Sequence, residues 1–373
     1  MKLKRLFRTF MTALIAAVFV TTHEPQLTGS PVALASDVAS SFPNAVTQVA
    51  EVGDKFGPER VGRHLGFDTY AYPGDDVMQA WRHKDVPYEW VGYYLPAPCH
   101  KGRTWVGKRE RLAAMGWGMA VIYVGQQTWD KTPTGYETKY RTVRRTRYVN
   151  KRVKVYRTVN GKRVARYITK KVPVKRNVRV PVKVRVNPAD RPVDQCNAQL
   201  VSATRGSIEA ADAIKRTAAE GFPKGSVIFL DIEYMRSTPA KMRDYYRTWT
   251  AKVLADGRYR PGFYAHTRNA ALIYKDVKAV YLKAGRAEEP PFWVAGGKDF
   301  HPDKSPVDVG HSFAAVWQGV LDVVQEWNGH ELPIDVNVSS VPDPSHQFLH
   351  LERLADRLLG PATPVTIPVL GTD

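Results

Sequence analysis

Cysteine is scarce in this chain of 373 residues, which contains only Cys99 and Cys196. No Cys/His spacing typical of a zinc site is present. An even pair of cysteines is readily oxidised in an exported protein. We therefore expect a disulfide that ties the loop after the second strand to the end of a basic insertion; two free thiols are the alternative. The sequence requires no cofactor and no metal, although clustered carboxylates could bind a hard cation such as calcium.

Long apolar runs are also missing, and the run Met11–Val20 is too short to span a bilayer comfortably. Four cationic side chains precede it, no twin-Arg pair is present, and Ala33-Leu34-Ala35 follows as a small-x-small cleavage site. This order predicts a signal peptide over residues 1–35, a short lead over residues 36–60 and a secreted, extracytoplasmic protein. The long gap between Val20 and Ala35 keeps an uncleaved N-terminal membrane anchor open.

Acidic residues are nearly absent from one segment. Glu137–Gln195 contains 20 Lys and Arg but 3 Asp and Glu, a net +17 of the chain's +19, so the rest of the protein is almost neutral. The charge therefore concerns the partners of this segment more than the main site. Anionic wall polymers or lipid headgroups, bound through Lys139 to Arg191, are the expected partners, and a purely solubilising extension is the alternative. Nucleic acid is disfavoured because an exported protein meets wall polymers and membrane first.

The rest of the chain is globular in composition, with 43% hydrophobic residues. Eight short apolar runs alternate with helix candidates, which predicts an α/β fold, a (β/α)8 TIM-type barrel of parallel strands over residues 61–359. The runs cover residues 61–68, 90–95, 118–127, 226–233, 260–266, 291–295, 313–318 and 332–337.

Three helices are predicted most clearly, at Ser207–Glu220, from Thr238 to about Ala255, and at Phe348–Leu359. For the second, Thr238 is the expected N-cap, Pro239 the first helical residue, and Gly257 the stop. The Pro-rich residues 360–373 are expected to form a disordered tail.

Residues 132–194 interrupt the alternation after the third strand. Val, Thr and Tyr alternate there with Arg and Lys, and Asn160-Gly161 is a strong signal for a two-residue hairpin turn. We expect an inserted basic β-ribbon arm, with Pro173, Pro181 and Pro188 on an edge or extended path beyond it.

Polar and aromatic side chains cluster where the predicted strands end, which is where barrels of this type carry their working residues. The set comprises Asp68, Tyr94, Gln126, Gln127, Asp231, Glu233, Tyr264, His266, Trp293, Trp317, Gln318, Asp335 and Asn337. Trp293 and Trp317 are a candidate sugar platform, with core packing as the alternative. Tyr264 is expected to orient a carboxylate or an N-acetyl group, whereas His266 is more typical of a structural hydrogen bonder.

The most informative string is Leu230-Asp231-Ile232-Glu233. Two carboxylates at i and i+2 of a strand point to the same face, about 6–7 Å apart along the strand. Their mutual repulsion favours protonation of one of them, as a general acid needs. Hydrolysis of a glycosidic bond needs such an acid and a negative charge beside an oxocarbenium-like transition state. Asp68, Asp335 and Asn337 are expected to converge on the pair because the first and last strands of a closed barrel are neighbours. A structural ion-pair role is the alternative for the pair, and a hydrogen-bonded place at the barrel mouth for each of the others.

These motifs together resemble a family of secreted bacterial glycoside-hydrolase-like barrels of unknown function, itself similar to the lysozyme-like muramidases of glycoside hydrolase family 25. The motifs are Gly66-Phe-Asp-Thr-Tyr70, Tyr93-Tyr-Leu95, Ile122-Tyr-Val-Gly-Gln-Gln127, Ile228-Phe-Leu-Asp-Ile-Glu233, Gly262-Phe-Tyr264, Trp293 and Trp317-Gln318. The resemblance covers roughly residues 61–345 without the basic insertion, which departs from the family pattern.

The resemblance implies that Glu233 is the proton donor, that Asp231 stabilises an oxocarbenium or oxazolinium intermediate, and that Asp68 and Asp335 line the site. It implies a cell-wall-associated enzyme that hydrolyses β-linked amino-sugar glycan, peptidoglycan above all. Because a fold does not fix an activity, a non-catalytic glycan-binding module, anchored to anionic polymers by its basic arm, is the competing hypothesis.

Overall fold

A computed structural model describes residues 63–346 of the chain. The predicted signal peptide and lead, the predicted helix Phe348–Leu359 and the predicted tail lie outside the described residues. Within the described part, no helix is both long enough and apolar enough to cross a membrane.

Eight strands close into a barrel, which confirms the predicted fold class. Each predicted apolar run overlaps one barrel strand. The strands Gly118–Val124 and Val227–Ile232 are buried along their whole length, because helices cover their outer face and the barrel interior covers the other. The barrel strands are β1 His64–Asp68, β2 Tyr88–Tyr94, β3 Gly118–Val124, β6 Val227–Ile232, β7 Arg260–His266, β8 Phe292–Ala295, β9 Ala314–Trp327 and β10 His330–Ser339.

The last strand corrects the expectation of a wholly parallel barrel. β10 pairs antiparallel with both β9 and β1, whereas the other neighbouring strands run parallel. The cause is local: Asn328 and Gly329 have φ values of 51° and 78° and form a tight turn between β9 and β10, so no helix can intervene. Asp335 and Asn337 therefore lie within a reversed strand, not at the carboxyl end of a parallel one.

Five described α-helices follow the first five barrel strands, fewer than a full (β/α)8 unit would carry. Only the 3-10 turn Pro306–Val309 separates β8 from β9. The helices are α1 Asp75–Trp81, α2 Arg109–Ala114, α3 Ala203–Ala219, α4 Ala240–Asp256 and α5 Thr267–Lys283.

Helix α4 starts one residue later than predicted. Pro239 is the N-cap, and the hydroxyl of Thr238 instead accepts a hydrogen bond from the amide of Asn269 at 3.2 Å. The side chain of Thr238 therefore joins the loop before α4 to the first turn of α5 rather than capping α4. Gly257 ends α4 as predicted, with a left-handed φ of 73°.

The basic insertion forms the predicted ribbon. β4 Tyr136–Val159 and β5 Lys162–Arg185 pair antiparallel without a break over 24 residues each. Asn160 and Gly161 turn the chain with φ values of 46° and 74°. Pro173 and Pro181 lie within β5, opposite Tyr148 and Tyr140, and not beyond the ribbon as expected.

The pairing explains why the ribbon tolerates proline. Counting from the pair beside the turn, both prolines fall on pairs that exchange no backbone hydrogen bonds, so their missing N–H costs no ladder bond. Pro188 begins the short 3-10 helix Pro188–Asp190 after the ribbon.

The base of the ribbon is fixed to the barrel. Cys99 and Cys196 form a disulfide, as predicted. The Val186 amide donates to the Gly135 carbonyl at 2.9 Å and closes the ribbon at its root. The fully buried Arg205 donates to the carbonyls of residues 188, 191, 192 and 193, which form the return segment.

Candidate active site

A polar pocket lies at the mouth of the barrel, at the carboxyl ends of the parallel strands. Four carboxylates from three strands line it together with two tyrosines. It gathers eight of the thirteen residues singled out at the predicted strand ends and adds Ile122. The lining residues are Asp68, Tyr94, Ile122, Asp231, Glu233, Tyr264, Trp293, Gln318 and Asp335.

Asp68 is buried at the end of β1 and is held by three donors. The Tyr94 hydroxyl donates to Oδ1 at 2.7 Å, and the amides of Gln318 and Asn337 donate to Oδ2 at 2.9 Å each. Burial raises the pKa of Asp68, and these hydrogen bonds act in the opposite direction. Gly92 makes the room, because a Cβ there would lie 2.6 Å from the Cβ of Asp68.

Asp231 is buried in the pocket and incompletely hydrogen-bonded. Its side chain is 7% exposed, and Oδ1 has no hydrogen-bond partner among the described residues. Desolvation, followed by the charges of Glu233 and Asp68, raises the pKa of Asp231 well above its usual range. Asp231 therefore holds a proton more strongly than an ordinary aspartate does.

Glu233 stands at the exposed rim of the pocket, just beyond the end of β6. Burial at the barrel mouth raises the pKa of Glu233, and the negative charge of Asp68 raises it further. Gln127 fixes its backbone: the Glu233 N–H donates to Oε1 of Gln127 at 3.0 Å, and Nε2 of Gln127 donates to the Asp231 carbonyl at 2.8 Å. The sequence places Gln127 among the strand-end residues but gives no signal of this role.

Asp335 faces Asp68 across the antiparallel pairing of β10 and β1. Its oxygens accept from the Asp322 N–H at 2.7 Å and from the Gln318 amide at 3.2 Å. Desolvation and then the charge of Asp68 raise the pKa of Asp335 to about 7. Gln318 also accepts a hydrogen bond from the Tyr264 hydroxyl at 2.7 Å. The side-chain amide of Gln318 therefore contacts Asp68, Asp335 and Tyr264.

Three of the remaining strand-end residues do not line the pocket. Gln126 is buried behind it and donates to the Gln195 carbonyl and to Glu209. Trp317 is fully buried, with its indole N–H bonded to the Gly296 carbonyl at 2.6 Å. Asn337 is fully buried, and its side-chain amide donates a hydrogen bond to the Asp68 carboxylate.

The two predicted platform residues offer no free ring face for a sugar. Trp293 lines the pocket but is 1% exposed, and its ring packs edge-on against three other aromatic rings of the interior. Trp317 is equally enclosed. His266 likewise lies off the pocket, where it caps α5 by accepting from the Arg268 N–H at 3.1 Å.

Exposed aromatic rings occur instead on the loops that follow β1, β3 and β6. Tyr70, Trp129 and Tyr234 are 66%, 49% and 41% exposed. Trp129 and Asp130 both have left-handed φ values, 41° and 59°, which is unusual for a bulky residue. The Asp130 carboxylate fixes this turn by accepting from the backbone N–H and guanidinium of Arg236. A single aromatic residue after a strand carries no sequence signal of this strain or exposure.

The pocket offers acid–base chemistry. In the part of the chain that the structure describes, no group of three or more His, Cys, Asp and Glu residues is arranged to hold a metal ion. Four carboxyl groups this close together titrate as a group. The pocket can therefore hold a proton for donation and a negative charge at the same time.

A closed barrel whose mouth holds this carboxylate set is a glycoside-hydrolase-like domain. Residues 79–339 match the family described as Rv2525c-like, glycoside hydrolase-like domain. The chain belongs to that family.

The chain is also similar to three solved structures of bacterial proteins. An uncharacterized B. stearothermophilus protein is 16% identical, with 74% of this chain and 95% of that one covered and a TM-score of 0.42. The Clostridium perfringens spore cortex lytic enzyme SleM is 9% identical, with 76% and 69% covered and a TM-score of 0.38. The Mycobacterium tuberculosis Tat-secreted protein Rv2525c, in complex with HEPES, is 14% identical, with 76% and 98% covered and a TM-score of 0.38. No curated protein matches the chain.

Proposed function

We propose that this protein is an extracytoplasmic glycoside hydrolase that cleaves β-linked amino-sugar glycan, with peptidoglycan as its substrate. The observation that carries the proposal is the pair Asp231 and Glu233 on β6, enclosed with Asp68 and Asp335 in one pocket. Family membership supports the reaction class, and the N-terminal export pattern supports the location.

Glu233 is the proton donor in this proposal. It stands at the rim, where a glycosidic oxygen can approach, and burial raises its pKa, which is the direction that a general acid needs. It gives its proton to the leaving oxygen as the bond from that oxygen to the anomeric carbon breaks. A water molecule then adds to the anomeric carbon and returns a proton to Glu233.

Asp231 responds to the positive charge that develops on the sugar. Burial raises the pKa of Asp231, whereas a nearby oxocarbenium or oxazolinium centre lowers the pKa of a carboxyl group. Asp231 can then pass its proton into the cluster and stabilise the cation as a carboxylate. Asp335, with a pKa of about 7, is the member of the cluster best suited to exchange that proton at neutral pH.

The exposed rings of Tyr70, Trp129 and Tyr234 supply the sugar contacts in this proposal. They follow three strands on the side of the mouth that carries Glu233, and aromatic faces are suited to the apolar faces of sugar rings. The strained turn at Trp129 supports a role in binding, because such strain persists mainly at functional sites.

The test is release of new reducing ends from purified peptidoglycan. The wild-type protein should release them, and Glu233→Gln should reduce kcat by about 10²–10⁴-fold while glycan binding is retained. Glu110→Gln, an exposed glutamate on α2, is the matched control and should behave as wild type. Unchanged turnover in Glu233→Gln would remove Glu233 as the acid.

A non-catalytic glycan-binding module on the same barrel is the second candidate. It is favoured by the observation that protein donors already hold Asp68 and Asp335 through Gln318. It predicts that Asp231→Asn and Glu233→Gln change affinity for glycan while the wild type releases no reducing ends.

A further inference from the structure

The ribbon formed by β4 and β5 has two chemically different faces. Side chains alternate between the two faces along each strand, and paired residues share a face. The register therefore assigns each side chain of the ribbon to one face. One side, the valine face, carries every Val and Ile of the two strands. The other, the tyrosine face, carries every Tyr. The valine face includes Val143, Val149, Val153, Val155, Val159, Val164, Ile168, Val172, Val174, Val178, Val180, Val182 and Val184, and the tyrosine face Tyr136, Tyr140, Tyr148, Tyr156 and Tyr167.

Cationic side chains cover both faces almost equally. The strands hold 19 Lys and Arg, of which ten lie on the valine face and nine on the tyrosine face. Their one acidic residue, Glu137, is paired with Arg191 at the root of the ribbon. The cations beyond the root thus have no carboxylate partner within the ribbon, along a length of about 80 Å.

Three classes of partner fit this distribution poorly. A second ribbon would meet the same positive charge. A planar lipid surface could contact only one face, which would leave about half of the cations unused. Nucleobases need free aromatic faces, but a cation already stands over three of the five tyrosine rings: Arg163, Arg179 and Arg152 lie 4.5, 5.3 and 5.2 Å from the rings of Tyr156, Tyr140 and Tyr167.

We propose that the ribbon is a binding site for a linear, flexible polyanion of the cell surface, a phosphodiester-linked polymer that winds around both faces. Arginine forks match phosphate oxygens in bidentate geometry, and 11 of the 19 cations are arginine. Release of the polymer's counterions provides the driving force.

The root of the ribbon lies on the loop that follows β3, one of the strands that end at the barrel mouth. Gly135, where the ribbon closes, follows Gln127 by eight residues, and Gln127 holds the backbone of Asp231 and Glu233. The disulfide and the buried Arg205 make this root rigid. Polymer binding by the ribbon does not depend on the proposed hydrolysis, and the two can fail separately.

The register allows a clean shortening of the ribbon. Replacing Tyr148–Pro173 with Asn-Gly closes the ladder on the pair Arg147 and Val174, which has the same place in the hydrogen-bonding pattern as Val159 and Lys162 beside the native turn. Nine of the 19 cations are removed with this segment.

Two full-length variants separate charge from apolar surface. The first replaces the same nine cations by Gln, at Lys151, Arg152, Lys154, Arg157, Lys162, Arg163, Arg166, Lys170 and Lys171. The second replaces the seven aliphatic residues of the same segment by Thr, at Val149, Val153, Val155, Val159, Val164, Ile168 and Val172. Equal thermal unfolding of the barrel in all proteins checks that they fold.

The measurement is binding of poly(glycerol phosphate) by the full chain across a salt series. The shortened and the Gln variants should each bind at least about 100-fold more weakly at 0.1 M salt, with a shallower salt dependence. The Thr variant and Glu233→Gln should bind within about twofold of wild type, since neither loses a cation. Binding by the Gln variant equal to that of wild type would overturn the proposal. So would tighter binding to vesicles containing phosphatidylglycerol, with loss in the Thr variant, or tighter binding to duplex DNA at equal phosphate concentration.

Discussion

Gln127 offers the sharpest test of how the fold holds the catalytic pair. It is 1% exposed, and its amide makes two hydrogen bonds to the backbone of β6, at the Asp231 carbonyl and the Glu233 N–H. Gln127→Met keeps the length and approximate volume of the side chain but removes both bonds. Each buried backbone group left without a partner costs about 1–3 kcal/mol, so the loss of two partners should lower the free energy of unfolding by about 2–6 kcal/mol.

The same change should reduce catalysis beyond its effect on stability. A displacement of a reacting group by about 1 Å can cost on the order of 10²-fold in rate, and Gln127 is the residue that fixes the backbone position of Glu233. We expect kcat for reducing-end release to fall by about 30–100-fold at a temperature where the variant remains folded.

Gln126→Met is the matched control. Gln126 is the adjacent residue and is also buried, but its bonds go to the Gln195 carbonyl, Glu209 and the Asn197 N–H, away from β6. It should destabilise the protein by a similar amount, measured by urea unfolding, and leave kcat within about threefold of wild type. If both variants lose equal stability and Gln127→Met keeps wild-type kcat, the positioning role of Gln127 is refuted.

Three further predictions follow from the pocket and its surroundings. The pKa of Asp335 is raised in the folded state, so the native protein binds more protons than the unfolded chain and its stability falls as pH rises from about 4 to 7; Asp335→Asn should flatten this dependence by about 1–2 kcal/mol in unfolding experiments between pH 5 and 8, and an unchanged slope would contradict the assignment. Trp129→Gly relieves a strained left-handed backbone and should raise the free energy of unfolding by about 1 kcal/mol while increasing KM for glycan about tenfold, whereas a variant that keeps both values speaks against a sugar contact. Replacing Cys99 and Cys196 by Ser opens a link across a sequence separation of 97 residues and should lower the free energy of unfolding by about 3–5 kcal/mol. A negligible loss would show that the other contacts at the base of the ribbon are enough to hold it.

Much of the fold could be predicted because its signals are local. The string Val227–Ile232 is apolar around one aspartate, and the structure buries it as a central strand. Asn160-Gly161 can adopt the left-handed conformations of a two-residue turn, and the ribbon register follows from that turn alone. The position of Gly257 after a periodic stretch likewise marks the end of α4.

What could not be predicted depends on which face of a strand meets solvent. Strand direction, in contrast, has a local signal, because Asn328-Gly329 before β10 is the same two-residue turn as Asn160-Gly161 and indicates an antiparallel pair. Residues 332–337 alone do not distinguish a reversed strand from a parallel one. Trp293 and Trp317 follow the strand-end pattern as well as Tyr264 does, yet the barrel interior encloses both rings. The exposure of Trp129 depends on a turn fixed by Asp130 and Arg236, which are 106 residues apart.

The convergence of Asp68 and Asp335, in contrast, does not depend on strand direction. Asp68 and Asp335 do face each other, but through the antiparallel pairing of β1 with β10 rather than through two parallel strand ends. A closed barrel makes its first and last strands neighbours in either direction, so the prediction survives the reversal.

The most direct test of the central claim is hydrolysis of purified peptidoglycan in ¹⁸O-labelled water, with the products reduced and analysed by mass spectrometry. The account predicts that the wild type releases fragments with the label at the new reducing-end amino sugar, and that Glu233→Gln releases almost none. Absence of labelled reducing ends from the wild type, across several walls and pH values, would contradict it and assign the barrel to glycan binding.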